Sequence, residues 1–126
     1  MSSKLKIGIA EDHHAFRESL TKLVASIPGV EVTLSVPDGE ALLQFLPDTK
    51  CDVLLLDINM PKMNGFEVLY HLNELYPNIE VIVLTGHNLP EYREKAKELG
   101  VHIFISKDNL ISDLLPLLVR KAESYT

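Results

Sequence analysis

The chain contains one cysteine, Cys51, and no tryptophan. A single thiol excludes an internal disulfide framework and suits a reducing compartment. No histidine or second cysteine stands near Cys51 in sequence, so it reads as a small residue ahead of a strand rather than a reactive thiol. No apolar run approaches the length needed to cross a membrane. The opening stretch, MSSKLKIGIAEDHH, has too short an apolar block for a secretory signal, and acids follow at once. A basic surplus is also missing: 12 Lys and Arg face 18 Asp and Glu, for a net charge of -6. That balance excludes a segment that grips a nucleic-acid backbone. No linker, repeat or low-complexity tract interrupts the chain. These absences together place it in the cytoplasm, away from any membrane.

What is present is 126 residues, 46% of them apolar, enough for one core without metal or disulfide staples. Residues 1–126 are therefore expected to form a single domain. The apolar residues fall in short runs that alternate with helical stretches. KIGIA (6–10), VEVTLSV (30–36), DVLLLD (52–57), VIVLT (81–85) and VHIFIS (101–106) read as strands. The third and fourth are apolar throughout, as expected of central parallel strands covered on both faces.

Phe16, Leu20, Leu23, Val24 and Ile27 make one helical stripe, ended by Pro28-Gly29. Asp38 caps a short helix through Leu46, closed by Pro47-Asp48. Asn64-Gly65 leads into a helix to about Tyr76, stopped by Pro77-Asn78. Pro90 suits the first turn of a helix that ends at Gly100. A last helix spans roughly 109–123, and Pro116 fits its first turn if it starts near Ser112. Five strands and five helices in strict alternation predict an α/β fold: a doubly wound, five-stranded parallel sheet of order 2-1-3-4-5, flavodoxin-like, with helices on both faces. Ligands in such folds bind beyond the carboxyl ends of the strands, where the winding reverses.

Those ends carry Glu11-Asp12 after strand 1, Asp57 and Asn59 after strand 3, Thr85-Gly86 after strand 4, and Ser106-Lys107 after strand 5. Singly, each has an ordinary explanation. An aspartate after a strand is usually a turn former, a threonine there is usual β chemistry, and a loop lysine is usually a solvated charge. Their convergence changes the reading. Three acids in one mouth repel one another unless a cation sits among them, and hard oxygen ligands point to Mg²⁺. A lysine facing them suits an anion. Acids, a hard metal, a hydroxyl and a lysine compose a phosphoryl-transfer site, with Asp57 fixed at the end of a buried strand as nucleophile.

On these residues the chain resembles a bacterial response-regulator receiver domain, CheY-like, over essentially its whole length. DINMPKMNG carries the resemblance, with ED, LTG and ISK at the other strand ends. The resemblance implies that Asp57 is the phosphoacceptor. It makes Asp12 the direct Mg²⁺ ligand, with Glu11 acting through water and Asn59 offering its backbone carbonyl. Thr85 becomes the switch hydroxyl, Lys107 the phosphoryl-binding lysine and Phe104 the switch aromatic. It implies a sensor histidine kinase as phosphoryl donor, no enzymatic activity beyond the chain's own phosphorylation and dephosphorylation, and self-association through helices 1 and 5 or 4 and 5. EDHHAFRESL, LYPNIEVIVLTGH and SKDNL further resemble the LuxR-type subgroup, whose members carry a helix-turn-helix output. DNA would then be met through a C-terminal output segment and not through these residues.

Three positions depart from the family pattern. Asp108 replaces the proline that often follows the lysine, so a trans bond is expected there. Phe104 lacks the hydroxyl of the commoner tyrosine, so its outward rotamer gains no hydrogen bond, and a packing role on strand 5 carries near-equal weight. Glu11 is one methylene longer than the usual aspartate. His13 and His14 are adjacent on a helix start, do not face one site, and read as structural or solvent-facing. His87, two after Thr85, is expected with Asn59 to affect the lifetime of the modified state.

Three other readings compete. A haloacid-dehalogenase-type phosphohydrolase needs a general acid where Asn59 stands. A flavin-mononucleotide carrier needs a phosphate loop where Glu11-Asp12 would repel the phosphate. A degenerate receiver serving only as an interaction scaffold is the third.

Overall fold

A computed structural model of the chain describes residues 3–60, 63, 65–86 and 90–125. Asn64 and His87, two positions used in the sequence reading, lie outside the described residues.

The organising element is β3 (Val53–Asp57), buried at every position. It pairs in parallel with β1 (Leu5–Ala10) on one side and β4 (Glu80–Thr85) on the other. β2 (Val30–Val36) and β5 (Ile103–Ser106) form the edges, giving the order β2-β1-β3-β4-β5. Because side chains alternate along a strand, β3 serves two cores. Val53 and Leu55 join Ile7, Ile9, Ile82 and Leu84 beneath α1 (His14–Ala25) and α5 (Leu115–Ser124). Leu54 and Leu56 join Ala10, Leu34 and Val83 beneath α2 (Gly39–Phe45), α3 (Gly65–Leu75) and α4 (Pro90–Glu98). The doubly wound sheet expected from the sequence is thus present, with two helices on one face and three on the other.

Local chemistry sets the element ends. Asp38 caps α2 by accepting the Ala41 N–H at 2.8 Å. Gly65 opens α3 where the backbone passes closely: its N–H donates to Ile58 O at 2.9 Å, and an added Cβ would lie 2.5 Å from Ile58 Cα. Several bounds shift from the sequence reading, most by a residue or two. α1 ends at Ala25, and Ile27 is buried in the following turn, where its N–H donates to Val24 O and its carbonyl accepts from Val30. α3 closes at Leu75, one residue short of Tyr76. β5 begins at Ile103 and not at residue 101, because the Val101 N–H is used on Ala96 O. With Gly100 N–H on Lys97 O and φ +93° at Gly100, that contact closes α4 as a Schellman cap. The last helix is composite: a 3₁₀ turn (Lys107–Asn109) and a π turn (Leu110–Leu114) precede α5. Pro116 does sit in the first α turn, but that turn begins at Leu115, three residues beyond Ser112. A proline has no N–H to give the preceding turn, and Leu115 N–H reaches back to Leu110 O in the widened register.

Candidate phosphoryl-transfer site

Parallel strands deliver all their carboxyl ends to one rim. There Glu11, Asp12, His13, Phe16, Asp57, Asn59, Gly86 and Lys107 line a cavity of about 450 Å³. Of the residues singled out from the sequence, the cavity gathers Glu11, Asp12, Asp57, Asn59 and Lys107. Thr85 does not line it. It ends β4 one step beyond Leu84, the pairing partner of Asp57, and is buried. Strand alternation places it with Val83, on the face of α2–α4. Phe104 sits farther down β5 opposite Val83, half-buried against the same core, with the Arg93 guanidinium carbon 5.5 Å from its ring centroid.

Asp57 is 2% exposed. Its Oδ1 accepts the Asn59 N–H at 3.1 Å, and its Oδ2 faces Lys107 Nζ at 3.3 Å. Burial pushes its pKa up to about 7, with Glu11 and Asp12 adding to the rise and the Asn59 N–H and Lys107 opposing it. Lys107 is held above its ordinary value: burial works against its charge, but Glu11 and Asp57 outweigh that.

Glu11 stands beside Asp12 and Asp57 and also contacts the lysine. Its longer side chain turns inward: Oε1 accepts the His13 N–H at 3.1 Å, and Oε2 lies 2.9 Å from Lys107 Nζ. Apart from that ion contact, the buried Oε2 accepts no hydrogen bond among the described residues. One carboxylate oxygen from each of Glu11, Asp12 and Asp57 lies within 4.8 Å of the others. Three hard oxygens this close, two of them from buried residues, fit a small divalent cation such as Mg²⁺.

The loop after β1 is fixed by His13, read from the sequence as structural or solvent-facing, and by Arg17, which the sequence pattern did not flag. His13 caps α1, its Nδ1 accepting the Phe16 N–H at 3.2 Å. Arg17 reaches back from α1 to donate to Glu11 O at 2.9 Å. His14 is exposed and pairs with Glu18 at 3.3 Å, so neither histidine joins a metal site. Phe16 appeared in the sequence only as the top of an apolar stripe; it also walls the cavity, 5.1 Å from Lys107 Nζ. No cis peptide bond occurs among the described residues, in keeping with Asp108 after the lysine. Cys51 is half-buried, its Sγ donates to Val53 O at 3.3 Å, and burial raises its thiol to about 11, as suits an unreactive cysteine. None of the described helices is long and apolar enough to cross a membrane.

Comparison with known proteins agrees with this geometry. The family model described as "Response regulator receiver domain" matches residues 7–118. The transcriptional regulatory protein DegU of Brevibacillus brevis is 35% identical over 106 residues, 84% of this chain and 45% of that protein. The chain spans about half the length of the curated relatives it matches. A LuxR-family DNA-binding response regulator from Staphylococcus aureus superposes with a TM-score of 0.83 at 29% identity, covering 94% of this chain and 98% of that one. The non-phosphorylated receiver domain of Escherichia coli RcsB gives a TM-score of 0.86 at 25% identity, covering 98% and 97%.

Proposed function

Because this chain belongs to the response-regulator receiver domain family, we propose that residues 1–126 act as one receiver unit whose Asp57 takes a phosphoryl group from the phosphohistidine of a sensor kinase in the cytoplasm. The observation that carries this reading is a buried carboxylate at a strand end, facing an open cavity, with an ammonium 3.3 Å away. A carboxylate oxygen of Asp57 attacks phosphorus in line. The P–N bond breaks, its electron pair leaves with the imidazole, and an acyl phosphate remains on Asp57. Lys107 holds a phosphoryl oxygen as a point charge. Asp12, Asp57 and the Asn59 carbonyl, with Glu11 behind them, would hold Mg²⁺, which supplies neutralisation of the charge on the transferring group.

After transfer the end of β4 shifts to bring the Thr85 hydroxyl, which lies outside the cavity before it, to the modified group. The Phe104 ring follows, so the face of α4, β5 and α5 repacks. Self-association of two copies on phosphorylation, through α1 and α5 or through α4 and α5, belongs to the same reading. Control of transcription would pass through an output segment, as in RcsB, which has been solved bound to DNA. Asn59 supports signalling over turnover: its amide has no acidic proton for a leaving alkoxide, so a haloacid-dehalogenase-type cycle lacks its acid. The test is intact mass after incubation with acetyl phosphate and Mg²⁺, paired with sizing of both states. The native chain gains one phosphoryl group and Asp57→Asn gains none; labelling of that variant at the native level would remove Asp57 from the role.

A further inference from the structure

Among the described residues, the Lys107 ammonium has three neighbours in the cavity wall. Glu11 Oε2 lies at 2.9 Å, Asp57 Oδ2 at 3.3 Å, and the centroid of the Phe16 ring at 5.1 Å. The ring is not a loose surface group. It is half-buried, packs against the α1–α5 core, and its backbone N–H is tied to the His13 imidazole. The turn that carries it is pinned again where the Arg17 N–H meets His13 O at 2.8 Å and the Arg17 side chain meets Glu11 O. An aromatic face held this rigidly beside a cation attracts it through the ring quadrupole.

We infer that Phe16 is a positioning residue for phosphoryl transfer, its ring holding the Lys107 ammonium in the cavity mouth between Glu11 and Asp57. The inference rests on the reading of Asp57 as phosphoacceptor. Its physical reason is a change of charge during the reaction. Before transfer, two carboxylates draw Lys107 from two sides. Once Asp57 becomes an acyl phosphate, the negative charge moves from Oδ2 outward onto the phosphoryl oxygens, and the ammonium must follow it while the buried Glu11 still draws it back. The Phe16 ring is a constant attraction that does not depend on what is attached to Asp57. It therefore keeps the ammonium at the mouth through the step. Phe16 also covers one side of the cavity, so Lys107 exchanges less of its ammonium contact with water.

Phe16→Leu retains an apolar side chain against the core and removes the π face; Phe16→Trp restores it. With acetyl phosphate and Mg²⁺, Phe16→Leu is expected to lower the labelling rate at saturating donor about fivefold, leaving the half-saturating donor concentration unchanged, and Phe16→Trp to recover most of it. In NMR spectra of the native chain the Lys107 side-chain protons are expected to carry a ring-current shift, and Phe16→Leu is expected to abolish it. In a Lys107→Ala background, Phe16→Leu is expected to have no additional effect on rate, since the group it positions is gone. A native rate in Phe16→Leu, or an equal further loss in the Lys107→Ala background, would overturn the role of Phe16. If Lys107→Ala itself labels at the native rate, the ammonium needs no positioning and the inference falls with it. Native labelling of Asp57→Asn would instead overturn the phosphoacceptor reading, a result distinct from both.

Discussion

Asp57 is under two opposed demands. A nucleophile must be ionised, yet burial at the end of β3 favours the neutral carboxyl and lifts its pKa from 3.8 to about 7. A group with a raised folded pKa weakens the fold as pH climbs from the unfolded value to the folded one, because the unfolded chain ionises first. In chelator-treated buffer, Asp57→Asn is therefore expected to melt above the native protein at pH 8, by about 2 kcal/mol after allowing for the open cavity. The gap should narrow between pH 7 and pH 4. A melting series across that range checks it, and a gap that widens on acidification contradicts the burial of an ionised Asp57. At this scale the sequence announced the reacting groups, since acids and a lysine stand at strand ends. It did not announce who faces whom. That Glu11 turns to Lys107 follows from one extra methylene and the His13 N–H beside it, and that Phe16 meets the same ammonium depends on where the first turn of α1 stands on the strand-end rim. Neither is a matter of spacing along the chain.

At the scale of elements, most strands and helices were legible because apolar periodicity and the Asp38, Gly65 and Pro90 signals agreed with one another. The misreadings came where a backbone group is claimed by a neighbour. Val101 looks like strand but closes α4, and the residues before Pro116 look like one helix but widen into a π turn. Glycines show how local such claims are. At Gly65 a Cβ would meet backbone atoms of Ile58 at 2.5 and 2.7 Å, whereas at Gly86 it would meet nothing within 4 Å. Gly65→Ala is expected to cost about 2–3 kcal/mol, because main chain yields less readily than a side-chain tip. Gly86→Ala should change stability by less than ~0.5 kcal/mol. Urea titration of the two variants side by side distinguishes them, and equal midpoints would show that the approach at Gly65 is not tight.

At the scale of the molecule, alternation of elements pointed to a parallel sheet, and right-handed crossovers leave few common ways to wind five βα units, of which 2-1-3-4-5 is the natural one. What the sequence could not apportion was the division of labour between faces. β3 solves it by serving both: Leu55 belongs to the α1–α5 core and Leu56 to the α2–α4 core, each essentially without exposure. Two cores joined through one strand should not melt apart. Leu55→Ala and Leu56→Ala are each expected to cost about 3–4 kcal/mol and to move one common transition. Near- and far-ultraviolet circular dichroism would part company in one of the variants if the faces were independent.

The inward turn of Glu11 has a corollary for design. A shorter acid at position 11 would surrender its grip on Lys107, so trading glutamate for aspartate, a swap most tables score as harmless, would rewire which partner the amine prefers.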